Sequence, residues 1–333
     1  MKILSVVSKK FYGRSDAVEP MYLEFTEPLI EIGHEVEHFD HADLRRQIGL
    51  DGCGEQFVER VKTGCYDVVL YQTGGQDWMA REAIGEAKRY TPVIAWNSDD
   101  DWQWASYTRQ MGPYFTFMVT TYPHIYEENK NAHPNIKLSQ WACYDRFADF
   151  NRVKDLDFTF VGQVYTSRVR ECSYLRSRAG LQVFGRYSAR INFAWLDLPG
   201  IRRVVWRLLD YFDKAINFRE VNDLWNRSRI SYTPLKSGPD PKSLQIKSRV
   251  FEMGLSGTMM LCEYNPTLLQ YYEPGKEFVT FQNLDDCADK AKYYLAHEDE
   301  RARIAKAYHD RTKSEHLWQH RFKQLFNSLG LEK

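Results

Sequence analysis

Two successive series of short apolar segments, separated by helical patterns, constrain this chain more than any other feature. In the first, the strand-like segments are Ile3 to Val7, Val36 to Phe39, Val68 to Tyr71, Val93 to Trp96, Phe115 to Thr120 and Leu138 to Cys143. Helical periodicity lies between most of them, notably over Met21 to Ile32 and Trp78 to Arg89. Strands that alternate with helices pair in parallel through right-handed crossovers, and the helices then cover both faces of the sheet. Residues 1–150 therefore read as one Rossmann-like domain. The polar stretch Phe150 to Asp155 reads as a linker. Beyond it, a second series follows: Phe158 to Val161, Gln182 to Phe184, Ile230 to Thr233, Met259 to Cys262 and Phe278 to Phe281. The 333 residues are enough for two such domains, each with its own core.

Charge and cysteine usage exclude several classes. Forty-five Lys and Arg balance 45 Asp and Glu, so no overall field attracts nucleic acid. The apolar run Ile3 to Val7 is too short for a signal peptide or a membrane span. The six cysteines include no C-x-x-C pair, which argues against a zinc ribbon or a thioredoxin-like motif. Most sit in apolar runs as reduced thiols, and a cytoplasmic location is expected.

The richest segment is Lys247-Ser-Arg-Val-Phe-Glu252-Met-Gly254-Leu-Ser-Gly257, followed by the apolar run Thr258 to Cys262 and by Glu263. It predicts a helix that begins at Ser248 and Arg249, buries Val250, Phe251 and Leu255, and ends at Gly257 before a core strand. A first turn carrying Ser and Arg offers free N–H groups, a positive dipole end and a guanidinium to an anion such as phosphate. Glu252, one turn further in, is placed to accept hydrogen bonds from a ribose.

This segment resembles the donor-nucleotide helix of the GT-B glycosyltransferases. Asp157-Phe-Thr-Phe-Val-Gly162 with Arg168, then Leu181 to Gly185, is similar to the start of a GT-B donor domain. Leu268 to Glu277, Lys292 to Leu295 and Arg303 to Ala305 are similar to its end, and together they resemble the CgeB-like, spore maturation type branch of group 1. The resemblance covers the second half well and the first half in outline. It implies an α/β GT-B fold, two Rossmann-like βαβ domains facing each other across a cleft. Residues 1–150 would form the acceptor side and 151–315 the nucleotide-sugar donor domain. The last helix, in 316–333, would pack back on the first domain.

The resemblance further implies metal-independent transfer of a sugar from a nucleoside diphosphate sugar to a glycan-like acceptor, with no cofactor. Gly162, Arg168, Lys247, Ser248, Arg249 and Glu252 would bind the donor, with Arg170 an alternative to Arg168. Members with an E-x7-E motif carry a second Glu eight positions before the ribose-binding one, where this chain has Leu244. Lys242, Gln245 and Lys247 are then the candidates for a contact to the donor sugar, and donor sugar and anomeric outcome stay open. Two other readings use the same helix: a nucleotide-sugar epimerase and a non-catalytic nucleotide-sugar binding protein.

Asp99-Asp100-Asp101 follows the strand Val93 to Trp96 and precedes Trp102. Asp99 or Asp100 could deprotonate an acceptor hydroxyl, or Ser98 or Asp99 could simply cap a helix. Gly74 and Gly75, after the strand Val68 to Tyr71, make a cleft-side turn that either lets backbone approach a ligand on the acceptor side or is simply a strand-to-helix turn, and Trp102 is a further acceptor-side candidate. The loop after the first strand, Ser8 to Gly13, lacks the G-x-G-x-x-G of dinucleotide dehydrogenases. His34-Glu-Val-Glu-His38 matches the H-E-x-x-H spacing, yet its alternation is that of a strand, which sets the two histidines about 13 Å apart, too far for one zinc. An insert at about 190–218, rich in aromatic and basic residues from Trp195 to Phe212, is either a helix packed on its own domain or a membrane-surface or acceptor-lipid helix.

Overall fold

The structure, a computed structural model, describes residues 1–10, 18–164, 166–185, 217–235 and 245–331. The chain forms two compact units. Unit 1 comprises Met1–Tyr144, Lys236–Ser248 and His316–Lys333; unit 2 comprises Asp145–Leu235 and Arg249–Glu315. The insert at about 190–218, with Trp195 to Phe212, lies outside the described residues apart from Asn217 and Phe218.

Unit 1 runs β1 (Lys2–Val6), α1 (Pro20–Glu31), β2 (Glu35–Phe39), α2 (His41–Gly64), β3 (Val68–Gln72), α3 (Arg81–Ala87), β4 (Val93–Asn97), α4 (Asp100–Gln103), β5 (Phe117–Thr120), α5 (Pro123–Asn129) and β6 (Ile136–Leu138). The six strands form one parallel sheet in the order β2-β1-β3-β4-β5-β6. Its central strands are unbroken apolar runs because both faces are covered: Val68, Val69, Leu70 and Tyr71 are all buried, as are Val93 to Trp96. Local signals set the helix starts. Pro20 stands in the first turn of α1, and the Asp40 carboxylate accepts from the Asp43 N–H at the head of α2.

Two elements differ from the sequence pattern. The helix expected from Trp78 begins at Arg81; in the turn before it, the Trp78 indole N–H donates to the Thr73 carbonyl at 2.8 Å. The sixth strand is Ile136–Leu138 rather than Leu138 to Cys143. The apolar residues after it, Ala142, Cys143 and Tyr144, are buried outside the sheet. Cys143 there pairs through its main chain with the segment that returns at the end of the sequence: Cys143 N donates to His316 O at 3.1 Å, and Trp318 N donates to Cys143 O at 3.0 Å.

Unit 2 contains β7 (Leu156–Val161), α6 (Thr166–Ala179), β8 (Gln182–Phe184), α7 (Phe218–Arg227), β9 (Ser228–Thr233), α8 (Ser248–Ser256), β10 (Met259–Glu263), β11 (Val279–Phe281), α9 (Leu284–Ala296) and α10 (Glu298–Glu315). Its sheet is also parallel, in the order β11-β10-β9-β7-β8. Asn217 and Glu220 close a capping box on α7, and Asn283 caps α9. The chain then re-enters unit 1 as α11 (Trp318–Ser328). There Trp318, fully buried, meets Phe25, Trp96 and Phe322 with ring centroids 5.0 to 5.4 Å apart.

Trp318→Ala would remove the largest side chain that α11 places in this core. It should destabilise unit 1 by about 3–5 kcal/mol, the usual loss for a truncated core aromatic. Denaturant unfolding followed by fluorescence reads this directly, and a loss under about 1 kcal/mol would mean that α11 is not integral to the core.

Candidate functional site

Parallel sheets of this kind bind ligands beyond the carboxyl ends of their strands, at the point where the strand order reverses. In unit 2 that point lies between β7 and β9. Gly162 follows β7 there, with φ at +147°, a conformation that side chains rarely adopt. A Cβ on Gly162 would stand 2.9 Å from Arg249 Nη1, so the bare backbone makes room for the guanidinium. Gly162 and Arg249, far apart in sequence, thus converge at the end of β7. Ser248 opens α8 and Lys247 precedes it, both half-buried like Arg249. The first turn of the helix therefore gathers N–H groups, a dipole end and cationic side chains beside a glycine-lined strand end, an arrangement that suits a phosphate.

Glu252 lies within the same helix and is 6% exposed. Arg168 is 3% exposed; it donates to the Gln163 carbonyl at 3.1 Å and lies over the Phe160 ring at 5.9 Å. It therefore braces the turn that carries Gly162, whereas Arg170 is exposed. Glu263, at the end of β10, accepts a 2.7 Å hydrogen bond from the Leu235 N–H just after β9, and fixes that strand end too. Sequence reasoning gave Glu263 no role.

On unit 1, Asp99 occupies the N-cap position of α4, but its side chain makes no capping hydrogen bond. It accepts from Gln245 Nε2 at 3.3 Å, and the same amide donates to the Ser98 carbonyl at 2.9 Å. Gln245, considered above for a donor-sugar contact, has its amide nitrogen engaged at the Ser98–Asp99 turn; Lys242 lies outside the described residues. Asp101 pairs with His124 Nε2 at 3.2 Å, and Trp102 is half-buried. Gly74 and Gly75 both adopt left-handed conformations, and a Cβ on Gly75 would overlap the Gln103 side chain.

Asp100 requires a correction. Its exposure is 0%, and its Oδ1 accepts from Thr108 Oγ1 at 2.6 Å. Burial pushes its carboxyl up from 3.8 to about 6, with the Thr108 and Thr120 hydroxyls pulling the other way; Oδ2 itself makes no well-formed hydrogen bond. A carboxyl enclosed in this way does not reach an acceptor hydroxyl.

Four of the five residues of the H-E-x-x-H match, Glu35 to His38, lie on β2, and His34 directly precedes it. His34 Nδ1 meets the terminal amine of Met1 at 3.3 Å, and His38 Nε2 donates to the Val7 carbonyl at 2.9 Å. Among the described residues, no cluster of three or more His, Cys, Asp or Glu side chains is arranged to hold a metal ion, and no helix is long and apolar enough to cross a membrane.

Two Rossmann-like domains with parallel sheets are the hallmark of the GT-B class, and solved structures of that class align over nearly the whole chain. The glycosyltransferase from Rickettsia africae matches with a TM-score of 0.64 at 12% identity, over 99% of this chain and 98% of that one. Anabaena Alr3699/HepE in complex with UDP matches at 0.61 and 11% identity, over 99% and 100%. Sucrose-phosphate synthase from Thermosynechococcus elongatus matches at 0.62 and 11% identity, over 99% of each. No curated protein matches the chain in sequence. The glycosyl transferase-like family matches residues 149–327, more than half of the sequence, and the chain belongs to that family. It is a glycosyltransferase.

Asp100 makes stability depend on pH. Its carboxyl is higher in the folded protein than in the unfolded chain, so the native state binds the extra proton between about pH 4 and about pH 6. Stability from this group is highest below that window and falls as pH rises through it, by about 3 kcal/mol in all. Asp100→Asn should flatten the stability profile over this range in denaturant titrations. An unchanged slope would contradict the assignment.

Proposed function

We propose that the enzyme transfers a sugar from a UDP-sugar to a hydroxyl of a glycan-like acceptor, without a metal ion, and that it belongs to the CgeB-like branch. The observation that carries this reading is the convergence of Gly162 with Arg249 where the strand order of unit 2 reverses. Uridine is favoured as the base because the Anabaena protein of the same fold was crystallised with UDP and with UDP-glucose. The diphosphate lies against the first turn of α8, with Arg249 and Lys247 as its cations and the Ser248 hydroxyl as a further donor. Glu252 accepts from the ribose hydroxyls, and Arg168 keeps the Gly162 turn in place.

In the reaction, the acceptor oxygen forms a bond to the anomeric carbon as the bond from that carbon to the β-phosphate oxygen breaks. Negative charge grows on the leaving diphosphate, where Arg249 and the helix N-terminus stabilise it, in the role a divalent cation has in other transferases. Asp99 takes the proton from the acceptor hydroxyl. Its Oδ1 is held by Gln245, which fixes the carboxylate's direction. The transfer takes place in the cytoplasm, on acceptors destined for cell-surface glycans.

Calorimetric titration in excess EDTA tests the donor pocket. UDP should bind at least tenfold tighter than uridine, and Arg249→Ala should erase the difference. Equal affinity for UDP and uridine in the unaltered protein would refute the phosphate assignment. Restoration of UDP binding only by added manganese or magnesium would refute its metal independence.

A further inference from the structure

Unit 1 has a reversal of strand order of its own, between β1 and β3, since the chain passes from β1 outward to β2 on one side and to β3 on the other. A cavity of about 480 Å³ lies there, within the size range of small-molecule sites. Ser8 and Lys10, beyond β1, and Gln72 and Gly74, at the end of β3, form part of its lining. Arg45 and Arg46, from the first turns of α2, supply the rest of its positive charge.

Among the described residues, these three cations are not balanced by the carboxylates around them. Lys10 and Arg46 share a single oxygen, Asp43 Oδ1, at 3.1 and 2.8 Å. Arg45 has no carboxylate partner among the described residues. Its Nη1 donates to the main-chain carbonyl of Asp77 at 2.6 Å, and its guanidinium lies 5.9 Å from the Trp78 ring centroid, which leaves the other N–H groups to a ligand. Trp78 also lines the cavity and is itself tilted against the buried His41 at 4.8 Å, so the guanidinium rests on a fixed aromatic surface. The remaining acidic group of the lining, Glu19, is pushed by burial up to about 7 and is only partly ionised near neutral pH.

We propose that this cavity binds the acceptor by an anionic group, and that the acceptor is an acidic sugar carrying a phosphate or a carboxylate. Arg45 is the anchor, because its planar fork of N–H donors matches either anion. Lys10 and Arg46 add to the positive potential while Asp43 holds them in place. Gln72 and Ser8 offer polar contacts to the hydroxyls of the sugar ring. This assignment rests on the transferase reading, in which unit 1 carries the acceptor.

The test measures binding of glucose 6-phosphate, glucuronate, glucose and inorganic phosphate by calorimetry to protein saturated with UDP, so that the donor pocket is filled. At least one of the two acidic sugars should bind ten times more tightly than glucose, and which one does so tells phosphate from carboxylate recognition. Arg45→Gln should weaken that binding tenfold or more with UDP affinity unchanged; Arg45→Lys, which keeps the charge, should lose less and serves in its place if the Gln variant does not fold. Inorganic phosphate bound as tightly as glucose 6-phosphate, with glucuronate no better than glucose, would overturn the acceptor assignment. So would equal affinity for acidic and neutral sugars, or binding indifferent to Arg45, and the donor reading would then stand or fall separately on UDP. If UDP itself does not bind, the same comparison on the free protein still decides the anionic site.

Discussion

The burial of α8 is the constraint on which the proposed donor site depends. Every residue from Val250 to Ser256 is buried, so the helix is a core element that carries a functional first turn. It is clamped at several carbonyls. The Tyr308 hydroxyl donates to the Val250 carbonyl, His309 Nδ1 donates to Leu255 O at 3.0 Å, and Lys154 Nζ donates to Ser256 O at 2.5 Å. Lys154 also donates to Asn226 O at 2.8 Å, so one ammonium ties together the ends of α7 and α8, and burial lowers it to about 8. At the interior of the helix, a Cβ on Gly254 would overlap Thr312, which shows how closely α10 approaches. A helix held this firmly can fix Arg249 and Glu252 without movement of its own, and binding energy is not spent on ordering them.

The two units repeat one physical solution. Each is a parallel sheet whose strand order reverses once beside its first strand, and each gathers polar groups beyond the carboxyl ends at that reversal. In unit 2 the groups are Gly162, Arg249 and Glu263; in unit 1 they are Lys10, Arg45 and Gly74. The contrast lies in how charge is handled. Arg249 comes from a buried helix and meets bare backbone at a glycine, whereas Arg45 is laid on an indole and bonded to a carbonyl.

The sheets and the α8 segment were legible in the sequence because parallel strands buried on both faces leave unbroken apolar runs, and because α8 combines a polar first turn with a buried stripe. Boundaries were less so. The sixth strand shifted because Ala142 to Tyr144 are apolar for contact with the returning chain rather than for the sheet, a long-range pairing that no local pattern encodes. Asp100 looked like a reactive carboxylate because three aspartates in a row follow the carboxyl end of a strand. Its enclosure by Thr108, Thr120 and Tyr122 comes from residues 8 to 22 positions downstream. The cations of unit 1 were missed for a similar reason: Lys10 and Arg45 belong to unremarkable polar stretches, and only the fold brings them to one cavity.

Hydrogen–deuterium exchange with and without UDP tests the central claim most directly, since it reports where the nucleotide is held without altering the protein. The account predicts slowed exchange in two segments, Val161 to Val164 and Ser248 to Glu252, with α9 unaffected. Protection confined to unit 1, or absent from both segments at saturating UDP, would contradict it.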